Sequence, residues 1–177
     1  MSRSELDLNP VQHITSDAIG KPGQRVFYLQ AWRESDIQPV TLILEKLQLQ
    51  TLATGLEQLL IEITRQKVSL IVPSEEYEED KMHITPPVDP LFRAGELGLG
   101  YDADQDMVVI LVREIVLEGG NPEEASLVRF WCSRQQARWL ADWSMEVVSR
   151  GRPICPQCGQ PMEPEGHFCP KKNGHKH

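Results

Sequence analysis

The sequence predicts an α+β protein: a mainly antiparallel sheet covered by two helices, followed by a small C-terminal zinc knuckle. Three observations lead there. β-Branched and aromatic residues gather in short segments bounded by turn residues, while two later stretches carry apolar residues at three- and four-residue spacing. The order strand, strand, strand, helix occurs twice, and Cys155, Cys158 and Cys169 crowd into the last 23 residues.

Val11–Gly20 reads as the first strand of the body, and Lys21–Gln24 as a turn punctuated by Pro and Gly. Arg25–Arg33 and Pro39–Lys46 form a strand pair around the turn-like Ser35–Asp36. The period then changes, since Leu49, Leu52, Leu56, Leu59, Leu60 and Ile63 fall on one stripe of a helix reaching about Arg65. Lys67–Pro73 is expected to add one further short strand. In the second half, Leu91–Tyr101, Met107–Leu117 and Leu127–Ser133 are strands. Arg134–Ser149 is a helix that turns Leu140, Trp143, Val147 and Val148 inward.

A shift of 80 places Gly20 on Gly100 and Arg33-Glu34 on Arg113-Glu114, and a shift of 88 places Gln48 on Gln136 and Leu52 on Leu140. The difference falls in one loop, where Glu118–Ala125 replaces the shorter Ser35–Gln38, so the body (residues 1–150) reads as an internal duplication with halves 8–66 and 91–150. Between them, the acidic, proline-rich segment 73–90 is expected to be an exposed connection.

Composition excludes several classes. Hydrophobic residues make up 40% and charged residues 25% of the 177-residue chain, which is ordinary globular usage. The apolar run a membrane span needs is absent, and Met1–Pro10 lacks the apolar centre of a signal peptide, so the expected location is cytoplasmic with no membrane partner. The formal charge is -8, which repels nucleic acid on average. From Arg150 onward five basic residues outnumber two acidic ones, leaving -11 for everything before.

Residues 151–177 carry the most specific pattern. Cys155-Pro-Gln-Cys158 is a turn that brings two thiolates to one metal, and Gly159 lets the backbone bend behind them. His167 and Cys169 lie two apart, so in an extended backbone both leave the same face. Three sulfurs and one imidazole suit a single tetrahedral, structural zinc with no place left for substrate; His175 or His177 is the alternative fourth ligand.

A catalytic set does not emerge. The phosphate-cradling, dinucleotide, zincin and nucleophile-elbow patterns are all missing, and Gly95, Gly98 and Gly100 read as strand bulges or turns. His13 is a strand-surface residue, Cys132 a buried thiol, and Trp139 with Trp143 one core ring and one partly exposed ring. The candidate contacts with an anion or partner are Arg33, Arg113, Arg150, Arg152, Lys171 and Lys172.

Three blocks, Gly20–Ala31, Leu44–Lys46 and Gly151–Gly174, resemble a bacterial family of unknown function, domain-of-unknown-function family 3090, of actinobacterial and Chloroflexi-type bacteria. The resemblance implies one recurring arrangement of body and knuckle and supplies no reaction. The expectation is therefore a non-enzymatic, zinc-binding interaction module with a protein partner. An enzyme with an anion-binding groove between the halves, where His83 joins Arg33 and Arg113, is the alternative, as is a weak RNA binder acting through the basic tail.

Overall fold

The computed structural model describes residues 4–21, 23–150 and 156–158. Along the chain run β1 (Glu5–Leu8), β2 (His13–Ile19), β3 (Val26–Trp32), β4 (Val40–Leu44) and α1 (Lys46–Gln66). Then follow β5 (Pro90–Asp102), β6 (Met107–Glu114), β7 (Leu127–Cys132) and α2 (Arg134–Arg150). Strand, strand, strand, helix is thus the order in both halves, and the protein is α+β. The four-residue β1 precedes it, too short to show a period.

Two expectations need correction. The sheet is mixed rather than mainly antiparallel: its order is β1-β7-β6-β5-β4-β3-β2, and β4–β5 and β1–β7 run parallel. α1 returns the chain across the sheet so that β5 starts beside β4 in the same direction, a step no hairpin can make. Residues 67–73 form no strand either. Val68 and Ile71 are exposed, and the segment is held from α2 instead, Arg134 donating to the Ile71 carbonyl at 2.5 Å.

Although β1 and β2 end the strand order on opposite sides, one stretch of chain makes both, so the sheet curls until its edges meet. Val11 N donates to Trp131 O and Gln12 N to Trp32 O, each at 2.8 Å, joining β7 to β3 through the segment between β1 and β2. β5 performs alone what β1 and β2 do together. Its start pairs in parallel with β4 and the rest antiparallel with β6, with a bulge between Ala94 and Glu96. That bulge sits at Gly95, where a Cβ would come within 2.8 Å of Ile115 Cα.

The two helices start with the same kind of bond. Gln48, in the first turn of α1, accepts from the Glu45 N–H at 2.8 Å and donates to the carbonyls of Ala94 and Gly95, each at 3.0 Å. Gln136, in the first turn of α2, accepts from the Ser133 N–H at 2.9 Å and donates to the carbonyls of Val11 and Gln12 at 3.3 and 3.1 Å. Each glutamine caps its helix and pins it to the strand segment that follows in space. The Arg33/Arg113 match is different. The buried Phe27, Leu29 and Ala31 correspond to Val108, Ile110 and Val112, an odd offset, so an even shift exchanges the two faces of the strand.

The helices pack on each other, with α2 over β2 and α1 over β5. Their buried stripes, Leu49, Leu52, Leu56, Leu60 and Ile63 of α1 and Leu140, Trp143, Val147 and Val148 of α2, join the inward strand residues in one core. Cys132 belongs to this core, and burial pushes its thiol up to about 12, which makes it no nucleophile at neutral pH.

Segment 73–90 crosses the outer side of β2 and β3 as a strap. Most of its residues are exposed, yet Met82 is buried and Thr15 donates to its carbonyl. Beneath the strap, the His13 ring lies 4.8 Å from that of Trp32, and its Nε2 is buried with no partner among the described residues. Burial lowers the His13 pKa below its ordinary 6.5, against a smaller opposing hydrogen bond with the Lys81 backbone. The unfolded chain therefore binds this proton more readily. Its contribution to stability is complete above about 6.5 and is lost as pH falls. The urea midpoint is expected to drop between about pH 7.5 and about pH 5.5, and to drop less in His13→Gln. An equal drop in both proteins would remove His13 as a cause.

Candidate functional site

The turn after β2 and the start of α1 meet beside β5. Gly20 and Gly23 adopt φ of 119° and 85°, values that favour glycine, and the turn closes with Gln24 N donating to Lys21 O at 2.9 Å. It delivers Arg25 half-buried, its guanidinium 4.9 Å over the Phe27 ring and its Nη2 donating to the Val147 carbonyl at 2.6 Å. Lys46 opens α1, and Arg93 stands on β5 opposite Ile43. These three cations, with Gly23, Val26, Phe27, Leu44 and Glu45, line a cavity of about 340 Å³. Burial lowers the Arg25 pKa, Asp17 opposes this, and the nearby Arg150 adds to it.

At the last turn of α2, Arg150 is paired with two carboxylates. It donates to Glu146 at 3.0 Å and to Glu79 at 2.5 Å, and its guanidinium lies 5.1 Å from the Trp143 ring. Trp143 also meets Tyr77 and His83 edge-on, at 5.9 and 5.0 Å between centroids. His83 Nδ1 lies 3.0 Å from Asp17 Oδ2, and Asp17 additionally accepts the Ile84 N–H at 3.1 Å. The strap is thereby fastened to the root of the C-terminal segment. Glu79, bonded to Arg150, is held below the usual carboxylate range.

A second recess is apolar. Leu47, Gln48, Thr51, Leu52, Gly55, Leu97 and Leu99 line about 470 Å³ between α1 and β5. Under the correspondence set by Gln48 and Gln136, Thr51 and Gly55 take the places of Trp139 and Trp143. In the first half Trp143 covers Ser16, bonding its carbonyl through Nε1 at 2.6 Å. In the second half Gly55 has no side chain there, and Leu99 takes part of that volume, its Cδ1 2.9 Å from where a Cβ would stand.

The sequence-predicted cations do not converge. Arg33 closes a turn, its Nη2 2.9 Å from Asp36 Oδ1, and this pairing raises the Arg33 pKa and lowers that of Asp36. Arg113 stands within β6, opposite Glu96 on one side and Leu127 on the other. None of the five described cavities is lined by both, and none places His83 with either. Of the proposed zinc ligands, Cys158 is described, half-buried in the turn over 156–158. Cys155, His167 and Cys169, the alternatives His175 and His177, and the basic Arg152, Lys171 and Lys172 lie outside the described residues. Among the described residues no group of three His, Cys, Asp or Glu side chains forms a metal site.

The family model described as "Protein of unknown function (DUF3090)" matches residues 6–169. The chain belongs to this family. Comparison with curated proteins and with solved structures finds no match to either. The DUF3090 region ends on Cys169, so it contains all four residues of the proposed zinc set. Two of the blocks that carry the resemblance, Gly20–Ala31 and Leu44–Lys46, supply most of the cationic cavity's lining. Sequence reasoning passed over Arg25, Lys46 and Arg93 because no periodicity links them; the clustering of those blocks was the available signal.

Proposed function

We propose that this DUF3090 protein is a cytoplasmic, zinc-anchored interaction protein, a folded α+β body whose C-terminal knuckle holds one structural zinc and helps dock another protein. The observation that carries the reading is the donor set, Cys155, Cys158, His167 and Cys169, entered through a turn at Pro156–Cys158. Three thiolates and an imidazole complete a tetrahedral shell and suit zinc above harder cations. Thiolate ligands also favour a reducing compartment. Among the described residues no helix is long and apolar enough to cross a membrane.

Docking is supported by the recess between α1 and β5, where Leu47 and Leu99 are exposed beside a space that its counterpart fills with indole. Arg150, by contrast, is already paired with Glu146 and Glu79, which weakens the case for an RNA-binding tail that includes it.

The test is metal analysis of the full chain. One zinc per chain is expected, and Cys158→Ser or a strong chelator should remove it. On removal, the amide resonances of residues 152–172 should collapse while the melting transition of the body stays in place, because so small a knuckle draws its folding free energy from the metal. Zinc well below one equivalent, or an ordered knuckle after chelation, would defeat the reading. Capture of the same partners by the intact chain and by one lacking residues 151–177 would remove the knuckle from docking.

A further inference from the structure

Among the described residues the body carries eight arginines besides Arg93, namely Arg25, Arg33, Arg65, Arg113, Arg129, Arg134, Arg138 and Arg150, and most have partners. Arg33, Arg129, Arg134, Arg138 and Arg150 each pair with a carboxylate, and Arg25 bonds the Val147 carbonyl. Lys46 and Arg93 make no ion pair among the described residues, although the part of the chain before Arg150 is strongly acidic. Both face the cavity that Arg25 lines, and each of the three comes from a different element: the turn before β3, the start of α1, and β5. Three like charges drawn together, with Glu45 as the single opposing charge in the lining, leave the recess with a formal surplus of two. At the start of α1 the Glu45 N–H is satisfied by Gln48, and the positive charge of the recess comes from the three side chains.

We propose that this cavity, lined by Arg25, Lys46 and Arg93, binds a small soluble molecule through a dianionic phosphate group. A phosphate monoester matches the surplus of charge, and its oxygens accept from guanidinium forks and an ammonium at once. The volume of about 340 Å³ falls in the range of small-ligand sites and leaves room for more than the phosphate itself. Arg25 is fixed in place by Phe27 and Val147, so one wall of the site is preorganised, whereas Lys46 and Arg93 are exposed and reach from the rim. None of the described lining residues belongs to residues 151–177.

The test is calorimetric titration of the full, metal-loaded chain with inorganic phosphate and pyrophosphate at low salt. Saturable one-site binding is expected. Arg93→Gln and Lys46→Gln should each weaken it about tenfold, the loss of one charge-assisted hydrogen bond, while Arg65→Gln on α1 leaves it unchanged. Thermal unfolding of each variant checks that the fold is kept; both altered side chains are exposed and make no ion pair among the described residues. Vesicles containing phosphatidic acid form a second arm. No saturable binding of either probe, binding that Arg93→Gln and Lys46→Gln leave within about twofold, or binding of vesicles without binding of free phosphate would each overturn the proposal.

Discussion

Replacing Trp143 by alanine is expected to destabilise the protein by about 3–5 kcal/mol, the range for deleting a fully buried aromatic side chain. The ring is 0% exposed, its Nε1 donates to the Ser16 carbonyl, and its faces and edges receive Tyr77, His83 and Arg150. One side chain thus joins α2, β2 and the strap. Chemical denaturation measures the loss. Trp143→Phe should restore most of the packing and retain a deficit of about 1–2 kcal/mol from the Ser16 carbonyl left without its donor. A loss below about 1 kcal/mol in the alanine variant would mean the ring is not the keystone its contacts imply.

Gln30→Ala is expected to cost about 2–3 kcal/mol and to free the strap. Gln30 is 0% exposed; its Nε2 donates to Thr85 O at 2.9 Å and Thr41 Oγ1 at 3.1 Å, and its Oε1 accepts the Thr85 N–H at 2.8 Å. The amide of one side chain therefore replaces a strand ladder for Thr85. Hydrogen exchange should rise at Ile84 and Thr85 far more than in β6, which lies elsewhere in the sheet. Gln30→Leu, which fills the volume and cannot bond, should behave like the alanine variant at Thr85; protection there equal to wild type would place the strap's anchor at Met82 and Asp17 instead.

Local periods were legible because they are local. The stripe Leu49, Leu52, Leu56, Leu60 and Ile63 is buried where a helical period puts it, with Leu59 beside it partly buried. The inward residues of α2 and the buried Cys132 follow from the same alternation. Of the three glycines read as bulges or turns, Gly95 is a bulge, while Gly98 and Gly100 stay in regular register opposite Leu111 and Val109. Lys67–Pro73 misled because its apolar residues satisfy the local pattern of a strand, whereas its backbone finds α2 and no ladder. The pairing of Arg33-Glu34 with Arg113-Glu114 misled for another reason. Letters matched at an even shift, while the strand faces correspond at an odd one.

By itself, the sequence determined the two strand-strand-strand-helix units and the faces of both helices, because each rests on spacing within a few residues. Only the tertiary structure decided that β4 and β5 run parallel and that the chain before β2 brings the sheet's edges together. It also decided that Arg150 belongs to Glu79, and that Arg25, Lys46 and Arg93 share one cavity. Those are contacts between residues tens of positions apart. Many distant pairings are compatible with the same local pattern, and the choice among them is made by how the whole core closes.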